Sequence, residues 1–577
     1  MIVANCRYYL VFEIYVLFLV ICQSVGSNHS KNSNNQRKPH IVFIVADDLG
    51  WHDVGFHGSD QIQTPNIDAL AYDGIILNSH YSQPLCTPSR AALLTGKYPI
   101  HTGMQHNIIL EPEPWGLPLT EKLLPEHLKD LGYTCRAVGK WHLGYFKKAY
   151  TPTLRGFDSF YGLWNGYQDY YTHMVQATFT SFEGFDMRRD LETDWSSMGK
   201  YSTRVFTDEA VNIIRDHNNT KNPLFLYLAH IAPHSGPYTN PLQAPPEEVQ
   251  KLNYIKDENR RKFTAMVKVL DDSVGNVVDA LKIKGMLDDT IIVFLSDNGA
   301  PTNGIHRNYG SNWPLKGEKG TPWEGGTRTP AFVWSRFLKN KRRVSNGLMH
   351  ISDWMPTLYR AAGGDVANLN KIDGINMWDT WQNNINDESW PRNSLLYNID
   401  DVSGYAAVRD SIYKYISGTT FLGFLDYWSE RPCQIMGNNS FNYSDMVLSS
   451  IVGQIMSKTN LDRKSLSDDE ILRLRQQSKV NCARYNKNSK PCQPRRRPCL
   501  FNVVKDPCEQ VNLNYNPNSR MQALVKSKVE YFERLLDNYR GVLLVQPVNQ
   551  RTSGRVADPK LYNNTWSSWE DQDQKTY

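Results

Sequence analysis

Four short runs, Ile41–Ala46, Tyr133–Val138, Leu224–Ala229 and Ile291–Ser296, are β-branched, aliphatic or aromatic at most positions and are bounded by turn-formers. A half-exposed strand alternates polar with apolar, whereas a near-continuous run suits a strand covered on both faces. Between the runs the period lengthens. In Asn259–Lys284 the residues Phe263, Met266, Val267, Leu270, Val274, Val277, Val278 and Leu281 recur at helical spacing. Leu119–Leu131 predicts a shorter helix, with Thr120 as cap, Leu123, Leu124, His127, Leu128 and Leu131 on one face, and Gly132 as its stop. Strands alternating with helices predict an α/β fold whose large, mainly parallel sheet lies between helices.

Beyond about residue 390 the texture changes. The strand-like pieces Leu395–Asn398, Tyr413–Ser417 and Cys499–Val504 precede one long helical pattern, Ser519–Tyr539. We expect an N-terminal domain over 39–390 and a small C-terminal sheet-and-helix domain over 391–550, followed by a tail over 551–577. Thr419–Pro498 is loop-rich and cysteine-bearing, and yields no element from its pattern. A chain of 577 residues is too long for one ordinary core.

Arg7, the apolar run Tyr8–Cys22 and the small residues Ser24 and Gly26 read as a secretory signal over 1–26, although Glu13 is unusual inside such a run. No other stretch is apolar enough to cross a bilayer, and the polar run Glu570–Tyr577 does not read as a hydrophobic anchor signal. Sequons at Asn28, Asn218, Asn438, Asn442 and Asn563 fit the same route, to a lysosome or the cell exterior. Of nine cysteines, Cys6 and Cys22 leave with the signal. Cys135, Cys433, Cys482, Cys492, Cys499 and Cys508 form an even set, which an oxidising compartment would pair, and Cys135 reads equally as a buried free thiol. The net charge of +5 is mild and diffuse, which speaks against nucleic acid as a partner. Arg495-Arg496-Arg497 reads as a solvated loop able to touch a polyanion.

Candidate chemistry gathers where the strands end, because open parallel sheets bind ligands at the carboxyl ends of their strands. The first run ends in Asp47-Asp48 and the last in Asp297-Asn298; the second leads to Lys140 and His142, the third to His234. Three carboxylates and an amide would repel one another without a hard cation, and oxygen ligands alone favour calcium, then magnesium. Each motif by itself is more often a turn or a strand-end cap. Lys140 and His142, two apart in extended chain, would face one ligand. Lys319 lies in a glycine-rich loop where backbone can approach a ligand. Thr87 as cap and Pro88 as first helical residue would start a helix just after Cys86, facing its N–H groups toward an anion there, with Arg90 one turn inside.

The run Cys86-Thr87-Pro88-Ser89-Arg90 resembles the sulfatase signature Cys-x-Pro-x-Arg. Gly139-Lys140-Trp141-His142-Leu143-Gly144 looks like the second signature of that family. Val45-Ala46-Asp47-Asp48, Ser296-Asp297-Asn298-Gly299 and Trp323-Glu324-Gly325-Gly326 match further blocks in the family's order, from about Pro39 to Asp379. Asn312-Trp313-Pro314-Leu315 and Gln168-Asp169-Tyr170-Tyr171 are most similar to its arylsulfatase B branch, whereas Thr419–Pro498 and the cysteine-free Glu111-Pro112-Glu113-Pro114 are not. The resemblance implies an alkaline-phosphatase-like α/β sandwich, with Cys86 converted to formylglycine by a formylglycine-generating enzyme. It implies calcium on Asp47, Asp48, Asp297 and Asn298 and on residue 86, which Arg90 would steady. Lys140 and Lys319 would bind sulfate, His234 with Lys319 would protonate the leaving oxygen, and His142 would remove the second hydroxyl proton of the hydrated aldehyde. The expected substrate is an aryl or sugar sulfate, glycosaminoglycan included. A small-molecule (thioglucoside) sulfatase, a related phosphatase or phosphodiesterase and an inactive glycan-binding relative are the alternatives.

Overall fold

In the computed structural model, residues 38–383, 389–432, 442–458, 465–482, 492–515, 519–545 and 554–571 are described. Every described helix and strand lies in the unit Pro39–Tyr577. Its first strand shows why the apolar runs do not alternate. Ile41, Phe43 and Val45 point into one core cluster, and Val42, Ile44 and Ala46 into another on the opposite face.

The elements are, in chain order, β1 (His40–Ala46), α1 (Pro65–Asp73), β2 (Ile75–Leu77), α2 (Cys86–Thr95), α3 (Leu124–Asp130), β3 (Thr134–Lys140) and β4 (Ser159–Leu163). There follow β5 (Arg188–Arg189), β6 (Glu192–Thr193), α4 (Ser202–Asp216), β7 (Leu224–Ala229), α5 (Glu258–Ile283), β8 (Thr290–Ser296), β9 (Ala331–Ser335) and β10 (Arg343–Ser345). These strands form one ten-stranded sheet in the order β10-β2-β9-β8-β1-β7-β3-β4-β5-β6. Its centre, β8-β1-β7-β3-β4, is parallel, with Ile41 between Phe225 and Ile291. The flanks are mixed, because β9 and β5 run antiparallel to their inner neighbours. Residues of α1, α4 and α5 pack on one face, and residues of α2 and α3 on the other.

Two helix starts differ from expectation. Helix α3 begins at Leu124, since Leu119 is exposed and the first turn is set by Pro125 and by Glu126, whose carboxylate accepts the Leu123 N–H. Helix α2 begins at Cys86 itself. Thr87 does not cap it, and its hydroxyl instead donates to the His142 carbonyl and accepts the Ile109 N–H.

A second, antiparallel sheet joins β11 (Ser394–Asp400), β12 (Tyr405–Asp410), β13 (Tyr413–Gly418) and, beyond an intervening segment, β14 (Cys499–Asn502). Strand β12 has no counterpart among the runs that the sequence pattern picks out. One face packs on the long helix Ser519–Arg540 through Phe532 and Leu536; the other meets Trp323 and Tyr81 of the large sheet's loops. That contact brings β11 to β13 beside the carboxyl ends of the parallel strands.

Among its described residues, the segment without a legible pattern contains three short α-helices, Tyr443–Ser449, Ile451–Lys458 and Asp468–Ser478. Val447, Val452, Met456, Ile471 and Leu474 join the core cluster over α1 and α5, and the Tyr443 hydroxyl donates to buried Asp68. Disulfides join Cys482 to Cys508 and Cys492 to Cys499, while Cys135 is a buried free thiol. Cys433, Asn28 and Asn438 lie outside the described residues. Asn218, Asn442 and Asn563 are exposed, as glycosylation requires. No described helix is long and apolar enough to cross a membrane.

Candidate active site

Strand β1 ends in two buried carboxylates. Asp48 adopts a left-handed backbone (φ 64°), with its carbonyl held by the Asn308 side-chain amide at 3.0 Å. A non-glycine residue in that region costs energy and persists where the surroundings enforce it. Strand β8 ends in Asp297-Asn298, both buried. The Asn298 amide donates to Asp48 Oδ1 at 2.6 Å, and Asp297 Oδ1 accepts the Asp48 N–H at 3.3 Å. The two strand ends therefore converge as expected.

Each carboxylate meets a cation of the chain. Arg90, wholly buried in α2, donates from Nε and Nη2 to Asp297 Oδ2 at 3.1 and 2.8 Å, and from Nη1 to the Lys140 carbonyl. Lys140 Nζ lies 2.7 Å from Asp47 Oδ2, and Lys319 Nζ lies 2.7 Å from Asp48 Oδ2. This amends the sequence argument, because the carboxylates are neutralised without a bound ion. Even so, Asp47 Oδ1 and Asn298 Oδ1 are buried with no hydrogen-bond partner. Buried acceptors are normally satisfied, so two orphaned oxygens here mark room for a positive ligand. Burial, reinforced by carboxylate repulsion, also pushes the Asp48 and Asp297 carboxyls above their ordinary range despite the adjoining cations. Asp47, Asp48 and His234 can each turn one ligand atom to within 4.8 Å of the others.

Cys86 opens α2, so its side chain sits at the helix end where N–H groups are free. Its Sγ lies 3.4 Å from His142 Nδ1. His142 does not achieve this by extended alternation: its backbone is left-handed (φ 59°), and Gly166 leaves space for the ring, since a Cβ there would lie 2.5 Å from Cε1. The other nitrogen, Nε2, is 2.9 Å from the Ile109 carbonyl. A carbonyl only accepts, so Nε2 carries the proton and Nδ1 faces residue 86 with its lone pair. Burial and then Lys140 hold this imidazole well below the usual histidine range, that is, neutral. Burial likewise pushes the Cys86 thiol up, against Lys140 and Lys319, and keeps it protonated.

His234 donates from Nδ1 to the Ser235 carbonyl at 2.7 Å and turns Nε2 toward Asp48 Oδ2 at 3.4 Å. Burial, Lys319 and Lys140 keep it neutral. Lys319 is different: burial opposes its charge, but Asp48 outweighs that and holds the ammonium above the usual lysine range. These groups floor a cavity of about 800 Å³ whose lining includes Cys86, His142, His234 and Lys319.

A sulfatase family model matches residues 39–364, over half of the chain. The chain belongs to the sulfatase family. It is 36% identical to mouse (Mus musculus) arylsulfatase J over 558 residues, covering 93% of this chain and 81% of that one. It is 33% identical to rat (Rattus norvegicus) N-acetylgalactosamine-6-sulfatase over 364 residues, covering 59% and 65%. Among solved structures, Ps i-CgsB superposes with a TM-score of 0.65 at 28% identity, covering 91% and 97%. The protein is therefore a sulfuric ester hydrolase of arylsulfatase type with the α/β sulfatase fold and its small antiparallel C-terminal sheet.

In this sulfatase, Asp47, Asp48, Cys86, Arg90, Lys140, His142, His234, Asp297, Asn298 and Lys319 are brought together. Sequence reading missed the parts that no local motif marks. The Ile109 carbonyl fixes the His142 tautomer. Tyr167 and His306 flank the His234 ring at 6.3 and 5.1 Å. Glu318 accepts from Thr302 and Tyr427 beside Lys319. The Trp323-Glu324-Gly325-Gly326 block was recognised by likeness, and its work is packing: Gly325 O lies 1.8 Å from where a Cβ on Gly299 would stand.

Proposed function

We propose that this sulfatase hydrolyses an aryl or sugar sulfate of the kind arylsulfatase B takes, using formylglycine made from Cys86 and a calcium ion. Cys86 carries the reading. A thiol kept protonated by burial is a poor nucleophile, yet it faces an unprotonated histidine nitrogen at 3.4 Å. Oxidised to formylglycine and hydrated, residue 86 would offer one hydroxyl to attack sulfur and a second whose proton must leave. His142 Nδ1 stands where a base for that proton is needed.

The donor set fits a hard cation, since Asp47, Asp48, Asp297 and Asn298 present only oxygen and two of those oxygens are orphaned. Bound there, calcium would satisfy those two oxygens and polarise a sulfate oxygen. Asp47, Asp48 and Asp297 already balance Arg90, Lys140 and Lys319, so a divalent ion would leave the floor positive, as an anionic ester requires. Arg90, locked on Asp297, would hold that carboxylate and the base of α2 in register. Lys140 and Lys319 would bind the sulfate. Lys319 is the proton donor already charged at rest, and His234 would have to take up a proton as the anion binds before it could serve the leaving oxygen.

Ps i-CgsB has been solved with k-i-k-neocarrahexaose, which supports a glycan as the occupant of so large a cleft here. The disulfides support a secretory route to a lysosome or the exterior. Mass spectrometry of the tryptic peptide bearing residue 86, from enzyme assayed on a panel of aryl and sugar sulfates, tests the reading. Formylglycine in the active fraction is expected; full activity with an unmodified thiol overturns it.

A further inference from the structure

The arginine run that reads as a solvated loop in the sequence does not lie idle in the structure. The Cys492–Cys499 disulfide closes a short loop containing Pro494, Arg495, Arg496, Arg497 and Pro498. Its backbone is tied to the small sheet, where the Gly418 N–H at the end of β13 donates to the Pro494 carbonyl at 3.0 Å, and turns on itself through the Arg496 N–H, which donates to the Gln493 carbonyl at 2.9 Å. Arg497 is engaged away from the cleft, with its guanidinium over Tyr515 and a bond to Asn514. Arg495 and Pro494, by contrast, line the same cavity as Cys86 and Lys319.

Arg495 is exposed and touches the Leu422 carbonyl at 3.5 Å; among the described residues it makes no ion pair. The carboxylates that share the lining have their own donors. Asp400 Oδ1 accepts from His106 and from the Val402 and Ser403 N–H groups, and Glu111 accepts from Thr178. The wall is also tied to the reaction centre, because the Thr420 hydroxyl donates to the carbonyl of Gly320, next to Lys319. A cation without a counter-charge, on a stapled, proline-flanked loop at the rim of an anion-binding cleft, is prepared to bind a second anion at little ordering cost.

We propose that Arg495 is a specificity residue that binds a second anionic group of the substrate, a carboxylate or a further sulfate, on the leaving-group side of the scissile ester. The proposal rests on the sulfatase reading of the floor and adds that the natural substrate is at least dianionic. It deepens the choice between small monosulfates and polyanionic glycans in favour of the latter.

The test compares wild type, Arg495→Ala and Arg495→Lys, each as formylglycine-bearing enzyme. Four probes are used: nitrophenyl sulfate, an N-acetylhexosamine monosulfate, that sugar with a second sulfate, and that sugar monosulfate linked to a hexuronate. Wild type should favour one or both dianionic sugars over the monosulfate. Arg495→Ala should raise KM for the favoured dianion about tenfold with kcat held, and leave nitrophenyl sulfate within about twofold. Arg495→Lys should recover part of the loss, since charge remains but the planar fork does not. Loss confined to the disulfated sugar names sulfate as the second group; loss confined to the uronate names carboxylate. Equal losses on all probes, no loss on any, or a wild type without preference for a dianion overturns the subsite. Failure of wild type on all four would instead remove the proposed aryl- or sugar-sulfate reading beneath it.

Discussion

The floor and the rim of one cleft are built in opposite ways. On the floor every charged group is buried and held by a partner from another part of the chain, as Asp297 is by Arg90 of α2 and Asp47 by Lys140 at the end of β3. At the rim, Phe421, Leu422 and Arg495 are exposed, and Leu422 takes a left-handed backbone (φ 56°) in a turn. Buried, mutually constrained charges give fixed geometry at high cost if any one is removed. Exposed loop residues contribute less energy and change cheaply, so they suit choice among substrates rather than bond breaking. On the proposed reading this is a division of labour, with chemistry on groups gathered at the ends of the parallel strands and selection on loops of the small sheet and the segment before β14.

The comparison breaks first at residue 86. Cys86→Ser should abolish turnover of every sulfate while leaving the fold intact, because a serine supplies no second hydroxyl to expel sulfate; multiple turnovers by that variant would refute the mechanism. Asp297→Ala should follow in severity. It strands the buried Arg90 charge and removes a proposed metal ligand, so a loss of roughly 3–5 kcal/mol in stability is expected, measured by denaturant unfolding, together with metal found below one ion per chain. Native-like stability and metal content would show that the floor is not a coupled unit.

His142→Ala keeps the floor's charges and removes the proposed base, so kcat should fall about 10²–10⁴-fold on all substrates alike. The pair His234→Ala and Lys319→Ala sharpens the proton question. Whichever is the acid should lose close to that range on a sugar sulfate and far less on nitrophenyl sulfate, whose leaving group needs no proton. Equal losses on both substrates for either variant would assign that residue to positioning the sulfate. The smallest effect is expected at Thr420→Val, which cuts the tie between rim and the Lys319 loop. A KM rise of no more than about fivefold on sugar sulfates should result, consistent with one hydrogen bond, and a large fall in kcat would mean that rim and floor are not separable.

Much of this protein is legible in its sequence alone. Burial on both faces forces β1, β7 and β8 to be continuous apolar runs, and a parallel sheet puts its ligands at strand exits, which is why Asp47, Asp48, Asp297 and Asn298 stand out. The Cys86 run carries the chemistry by resemblance. Local pattern could not supply what depends on residues far apart in sequence. The lone pair of His142 is aimed by the backbone carbonyl of Ile109, and its ring has room because Gly166 has no side chain. The three helices between Tyr443 and Ser478 are too short to announce themselves and gain their stability from packing on α1 and α5. The antiparallel flanks of the sheet and the pairing of Cys482 with Cys508 are likewise choices among long-range contacts. Arg495 is visible in the sequence as a charge; its place over the cleft was decided by the disulfide and by one hydrogen bond from Gly418, interactions that exist only once the chain has folded.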